Sequence, residues 1–153
     1  MNKAQAEGMF GYFRMVLGVT RNLIDQFPAD KMNFRPTEGT RTVADTVVHM
    51  YTFLVEALET IRDGKFEMGE PPVFETKTEV LAYMDLQVER AYKIFESLTD
   101  EQLAAMITSY GQSMPAWQFL TFAYDEHWHH RGALTVYLRL CGIEPLMIYS
   151  YGE

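Results

Sequence analysis

Apolar residues recur at alternating steps of three and four in four separate stretches, a period that restricts the chain to helices packed on helices. Phe10, Phe13, Leu17, Thr20, Ile24 and Phe27 lie along one face of a first helix, which Pro28 closes. A second stripe runs through Val43, Val47, Met50, Leu54, Leu58 and Ile61. Thr42 serves as its N-cap, Asp45 follows three residues later, and Gly64 stops it at Asp63. Leu81, Met84, Val88, Ala91, Phe95 and Leu98 form a third stripe, after a capping box made by Thr76 and Glu79. The fourth helix is expected to start near Ser113-Met114-Pro115, with proline in its first turn, and to reach about Cys141 before Gly142. Thr99 and Gln102 match the capping box again, so a short extra turn is expected over residues 99–106. No stretch alternates polar and apolar residues between turn signals, so no sheet is expected.

The expected fold is therefore all-α: one domain over residues 1–153, a four-helix bundle of rods ~30–40 Å long. Its connections are uneven and long, about 14 residues between the first two helices and about 11 between the next two. Connections of that length can carry the chain across an end of the bundle, so strict up-down alternation does not follow. With 48% hydrophobic and 22% charged residues, the chain can bury a core without disulfide or metal struts. Cys141 is the one cysteine, which excludes an intramolecular disulfide and favours a reducing compartment. No basic or histidine neighbour in sequence activates it as a nucleophile. A net charge of −8 and the lack of a clustered Lys/Arg face argue against a nucleic-acid role. No stretch approaches the ~20 apolar residues of a membrane span. Arg14 and Arg21 interrupt the apolar N-terminal segment, which is not read as a signal peptide. A cytoplasmic location is expected.

The four histidines occupy two places: His49 in the second helix, and His127, His129 and His130 in the fourth. At about 100° per residue, Phe119, Ala123, Glu126, His130, Ala133 and Tyr137 share one face of the last helix. Glu126 and His130 are an i, i+4 pair able to converge on one ion. His127 with His130 is an i, i+3 pair that could do so with more strain. His49, from another helix, is the third candidate ligand. Imidazole and carboxylate suit zinc, nickel or iron, and three protein ligands leave a position open for reaction. A lone helical histidine is more often an ordinary hydrogen-bonded residue, so spacing by itself leaves both readings standing. A ferritin-type di-iron site needs two Glu-x-x-His motifs, and the chain has one, Glu126 to His129.

The run His129-His130-Arg131-Gly132, continued by Ala133-Leu134-Thr135-Val136-Tyr137-Leu138-Arg139, resembles the last-helix motif of the DinB family. Phe34-Arg35-Pro36, Arg41-Thr42-Val43-Ala44-Asp45 and His49 are similar to that family's earlier motif, in the same order and at matching separation. The resemblance spans nearly the whole chain. It implies a four-helix bundle, often dimeric, with one divalent metal held by three histidines, one from the second helix and two from the last. His49 matches the first of these and His130 the last, whereas the middle position is Glu126. Three alternatives follow: Glu126 supplies a carboxylate in a His2Glu set, His127 replaces it, or the site has decayed. The family's glutamine after Arg-Gly is Ala133, which removes a hydrogen-bonding group one turn from His130.

The metals implied are zinc or nickel first, with iron or manganese next. Family members are described as metal-dependent hydrolases or as transferases acting with low-molecular-weight thiols, so a small-molecule substrate, such as a thiol, is expected. No separate catalytic dyad is visible. His127, Tyr137 and Arg131 are the candidate catalytic groups, with His129 as a further possible base. Arg131 also reads as a structural ion-pairing residue, and Tyr137 as core. Gly132 in mid-helix is expected to permit a close helix approach. Trp117, Tyr124 and Trp128 on another face make the last helix apolar nearly all round, and a homodimer through it and the first helix is expected. The rival reading is a non-catalytic bundle with a structural metal, or one whose cavity binds a small apolar ligand.

Overall fold

The computed structural model describes residues 1–149. It contains helices α1 (Lys3–Asp25), α2 (Val43–Asp63), α3 (Lys77–Ser97), the short α4 (Asp100–Ala104) and α5 (Gln118–Leu140). Strands β1 (Met106–Ser109) and β2 (Gln112–Pro115) form a hairpin, and a single 3-10 turn covers Ala29–Lys31. The four long helices form the expected bundle. Each residue of the α1 stripe and of the α2 stripe is buried, as are Met84, Ala91, Phe95 and Leu98 of the third. No helix among the described residues is long and apolar enough to cross a membrane.

The caps follow the sequence. Thr42 accepts the Asp45 N–H at 3.0 Å. Thr76/Glu79 and Thr99/Gln102 both close reciprocal capping boxes, satisfying backbone donors that no turn of helix precedes. Gly64 ends α2 in the left-handed conformation, at φ +72°. The Phe34-Arg35-Pro36 segment is tied to the start of α2 through the backbone. Val43 N–H donates to Phe34 O at 3.0 Å and Ala44 N–H to Met32 O at 2.9 Å.

Contacts between helix ends give the chain direction. Lys77 at the start of α3 pairs with Asp25 at the end of α1, at 2.9 Å, while Phe10 stacks on Phe95 at the other end. These two helices are antiparallel. Thr52 meets Tyr83 and Glu59 meets Arg90, so α2 and α3 run parallel. His49 faces Glu126 while Arg41, just before α2, meets Tyr137 late in α5; these two are antiparallel. Parallel α2 and α3 require residues 64–76 to return along the bundle. Extended chain of that length reaches roughly 40 Å against roughly 30 Å for α2. Gly69 N–H donates to the Glu56 carboxylate at 2.7 Å, which fastens the returning segment beside the middle of α2.

The hairpin departs from the sequence expectation of no sheet, and α5 begins at Gln118 rather than near Ser113. Ser113, Met114 and Pro115 belong to β2, paired with Thr108, Ile107 and Met106. Tyr110 (φ +49°) and Gly111 (φ +76°) make the two-residue turn. Positive φ at both positions matches the right-handed strand twist that short hairpins need. Ala116 N–H to Ala105 O (2.8 Å) and Trp117 N–H to Leu103 O (3.0 Å) continue the backbone pairing beyond the strands. The close helix approach expected at Gly132 is not found: a Cβ there would meet nothing within 4 Å, because the residue faces outward.

Candidate functional site

His49 projects from the second turn of α2, and Glu126 and His130 project from one face of α5 a helical turn apart. The antiparallel packing of α2 on α5 brings the three together. Glu126 Oε2 lies 3.3 Å from His49 Nε2 and 3.1 Å from His130 Nε2. The two imidazoles stand edge to face, with centroids 4.8 Å apart. One ligand atom from each residue falls within 4.8 Å of the other two. Among the described residues this is the one such group of His, Cys, Asp and Glu side chains.

Burial holds the pKa of His49 below the ordinary histidine value, helped by the Arg41 charge and opposed by Glu126. His130 is lowered first by burial and then by His49, with Glu126 again opposing. Both rings are therefore biased toward the neutral form, which has the lone pair a metal requires. Tetrahedral zinc with donors at 2.0–2.2 Å separates its ligand atoms by about 3.3 Å. The carboxylate oxygen already stands at that distance from one imidazole and close to it from the other. Two neutral imidazoles and a carboxylate fit a borderline divalent ion, and three protein donors leave at least one position open.

His127 does not join this group, which corrects the alternative that put it in place of Glu126. Only 2% exposed, it turns into the core between Phe13 and Tyr51. Its Nε2 is 2.8 Å from Thr20 Oγ1. The Thr20 hydroxyl spends its hydrogen on Val16 O at 2.8 Å, so the ring N–H donates and Nε2 carries the proton. The helical rotation of about 100° that separates His127 from Glu126 sends one inward and the other toward α2. Burial, with the Arg131 charge next, lowers the His127 pKa to about 3. Such a group stays neutral, and its placement gives it no access to substrate as a catalytic base.

Arg131 is also buried. Its guanidinium lies over the Trp128 ring, 4.3 Å from the centroid, and donates to Ile148 O at 3.2 Å. That placement fits the reading of Arg131 as a structural cation, held against Trp128 and main chain in the interior. Tyr137 donates to the Arg41 carbonyl at 3.4 Å and packs against Phe34, which joins the two sequence motifs at the end of the bundle. Its hydroxyl engages main chain at Arg41, the residue whose charge also acts on His49 and His130. His129 lies on the outer side of α5, in ring contact with His130 at 4.8 Å.

A cleft of about 550 Å³ opens directly beside Glu126. Its walls include Phe53 of α2, Phe119 and Phe122 of α5, Phe66 from the returning segment, and Tyr110 and Met114 of the hairpin. Asp125, Glu126 and His129 supply its polar side. Sequence reading missed most of this wall. The available signal was a second three-four stripe on α5, Phe122, Asp125 and His129, adjacent to the Glu126–His130 face. The contributions of Phe66 and Tyr110 come from loop and hairpin, where no periodicity announces them.

Comparison with known proteins follows the same lines. The uncharacterized protein YjoA of Bacillus subtilis is 26% identical over 149 residues, which span 95% of this chain and 97% of YjoA. The crystal structure of that DinB-like protein superposes with a TM-score of 0.75 at 23% identity, covering 88% of this chain and 96% of its own. A DinB-like protein from Bacillus cereus gives a TM-score of 0.77 at 22% identity, over 94% and 97% of the two chains. These two structures establish the likeness of fold. With the DinB family model matching residues 1–153 in full, the chain belongs to the DinB family.

Proposed function

We propose that the protein binds one divalent metal ion through His49, Glu126 and His130 and uses it as an enzyme acting on a small molecule held in the adjoining cleft. The observation that carries this reading is the convergence of two imidazoles from different helices on a single carboxylate oxygen, at 3.3 and 3.1 Å. Zinc and nickel suit the donor set best, with iron and manganese next. A bound ion would supply a Lewis-acid position able to activate water for hydrolysis, or a low-molecular-weight thiol for transfer.

The chain's own groups have defined parts in this scheme. Burial biases His49 and His130 toward the neutral form, against the opposing pull of Glu126, and so favours an available lone pair on each. Glu126, between them, would offset the charge of a bound ion, and it lines the cleft as well. His129 stands on the cleft wall in ring contact with His130, within the space a bound molecule would occupy. The aromatic wall offers apolar surface to the body of a bound molecule beside Glu126. An expected homodimer finds support on the opposite side. Tyr12 and Met15 of α1 are exposed, and Tyr12 lies 6.2 Å from the Tyr124 ring of α5, centroid to centroid.

The test is elemental analysis of protein purified without added metal, followed by thiol-transfer and ester and amide hydrolysis assays with and without chelator. Near-stoichiometric metal and chelator-sensitive turnover are expected. A metal-loaded protein inert across that panel would favour a binding protein. Metal content unchanged in His49→Ala and His130→Ala would remove the site.

A further inference from the structure

The cleft beside Glu126 has a chemical character that points to what it holds. Phe53, Phe66, Phe119 and Phe122 present rings to it, and Met114 closes one side. Its outer lip is formed by Met68 and Tyr110, which are 62% and 86% exposed. The Tyr110 ring leans toward Phe66 at 5.9 Å, and its hydroxyl reaches Met68 Sδ at 3.8 Å. Large apolar groups left in water at the mouth of an aromatic cleft mark a surface that a ligand covers. A volume of about 550 Å³ lies within the range that encloses a drug-sized molecule.

Charge narrows the choice. None of the described residues lining the cleft is Lys or Arg, while Asp125 and Glu126 both are carboxylates. Glu126 is committed to the two histidines, which leaves Asp125, exposed on the wall, as the charge a ligand meets. An anion entering such a site would lose hydration, meet no Lys or Arg on the lining and face a carboxylate. A cation would instead find ring faces and a carboxylate, both attractive to it.

We propose that the cleft binds an organic molecule with an aromatic or similarly flat apolar body and a cationic head, accepts the neutral analogue, and rejects the anionic one. As a statement of substrate class this rests on the metal-enzyme reading; as a binding property it does not. The apolar body lies among Phe53, Phe66, Phe119 and Phe122, and the head sits at Asp125, next to Glu126 on α5.

Titration calorimetry with 2-naphthylmethylamine, 2-naphthalenemethanol and 2-naphthylacetate tests this on protein both as purified and after chelator treatment, with metal content measured on each sample. In chelator-treated protein the amine is expected to bind most tightly, the alcohol next, and the carboxylate at least about tenfold more weakly than the amine. Asp125→Lys, a change at an exposed position, should reverse the order of amine and carboxylate. Phe122→Ser should weaken all three without altering their order. Folding of both variants is checked by circular dichroism and thermal melting. Carboxylate binding equal to amine binding, no binding of any probe at about 1 mM, or an unchanged order in a folded Asp125→Lys protein would each overturn the proposal. Amine binding retained in a protein that never holds metal would sink the metal reading and leave the cleft assignment standing.

Discussion

His127 should make the protein acid-sensitive by an amount that can be worked out. The ring is buried, and its pKa falls from 6.5 to about 3, chiefly because the charged form would lose its hydration. Above pH 6.5 the ring is neutral in both folded and unfolded chains and contributes no pH dependence. Below 6.5 the unfolded chain takes up a proton that the folded chain refuses, so stability falls as pH drops. The loss continues to about pH 3, where the folded ring also titrates. The slope is about 1.4 kcal/mol per pH unit, so from pH 7.5 to 5.0 this one residue removes about 2 kcal/mol. Urea denaturation of the chelator-treated protein and of His127→Leu at both pH values isolates it, since every other titrating group is common to the two. The parent should lose about 2 kcal/mol more than the variant on acidification. Equal losses, within about 0.5 kcal/mol, would refute the claim that His127 is held neutral in the core.

Two further outcomes test the backbone reading. Gly132→Ala should stabilise the protein by about 1 kcal/mol and raise the melting temperature by about 2–4 °C, because an exposed mid-helix position gains helix propensity and the new Cβ meets nothing. Gly111→Ala should do the reverse, costing about 1 kcal/mol at φ +76°. Since the hairpin forms one wall of the cleft, the same variant should also weaken naphthylmethylamine binding in calorimetry.

The helices were legible because each one states its buried face locally. Phe10 through Phe27 and Val43 through Ile61 are spaced by helical geometry alone, and Thr76 and Thr99 announce their caps within four residues. The hairpin was not. Its strands are four residues each, too short to show alternation, and its turn is Tyr110-Gly111 rather than the Asn-Gly that signals such turns. Pro115 ends β2, where the sequence reads equally well as proline in a first helical turn. The parallel course of α2 and α3 was also hidden, because a long connection permits either direction. At the site, the i, i+4 relation of Glu126 to His130 was visible in sequence, and so was the rotation separating His127. What could not be read was the partner of that inward face, Thr20, which the α1 stripe contains as just another inward residue.

The central claim concerns where one ion sits. Anomalous diffraction at the zinc edge from crystals of zinc-loaded protein should show a single strong peak about 2.0–2.2 Å from His49 Nε2, His130 Nε2 and a Glu126 carboxylate oxygen. A peak elsewhere, a peak ligated by His127, or none at saturating zinc would contradict it.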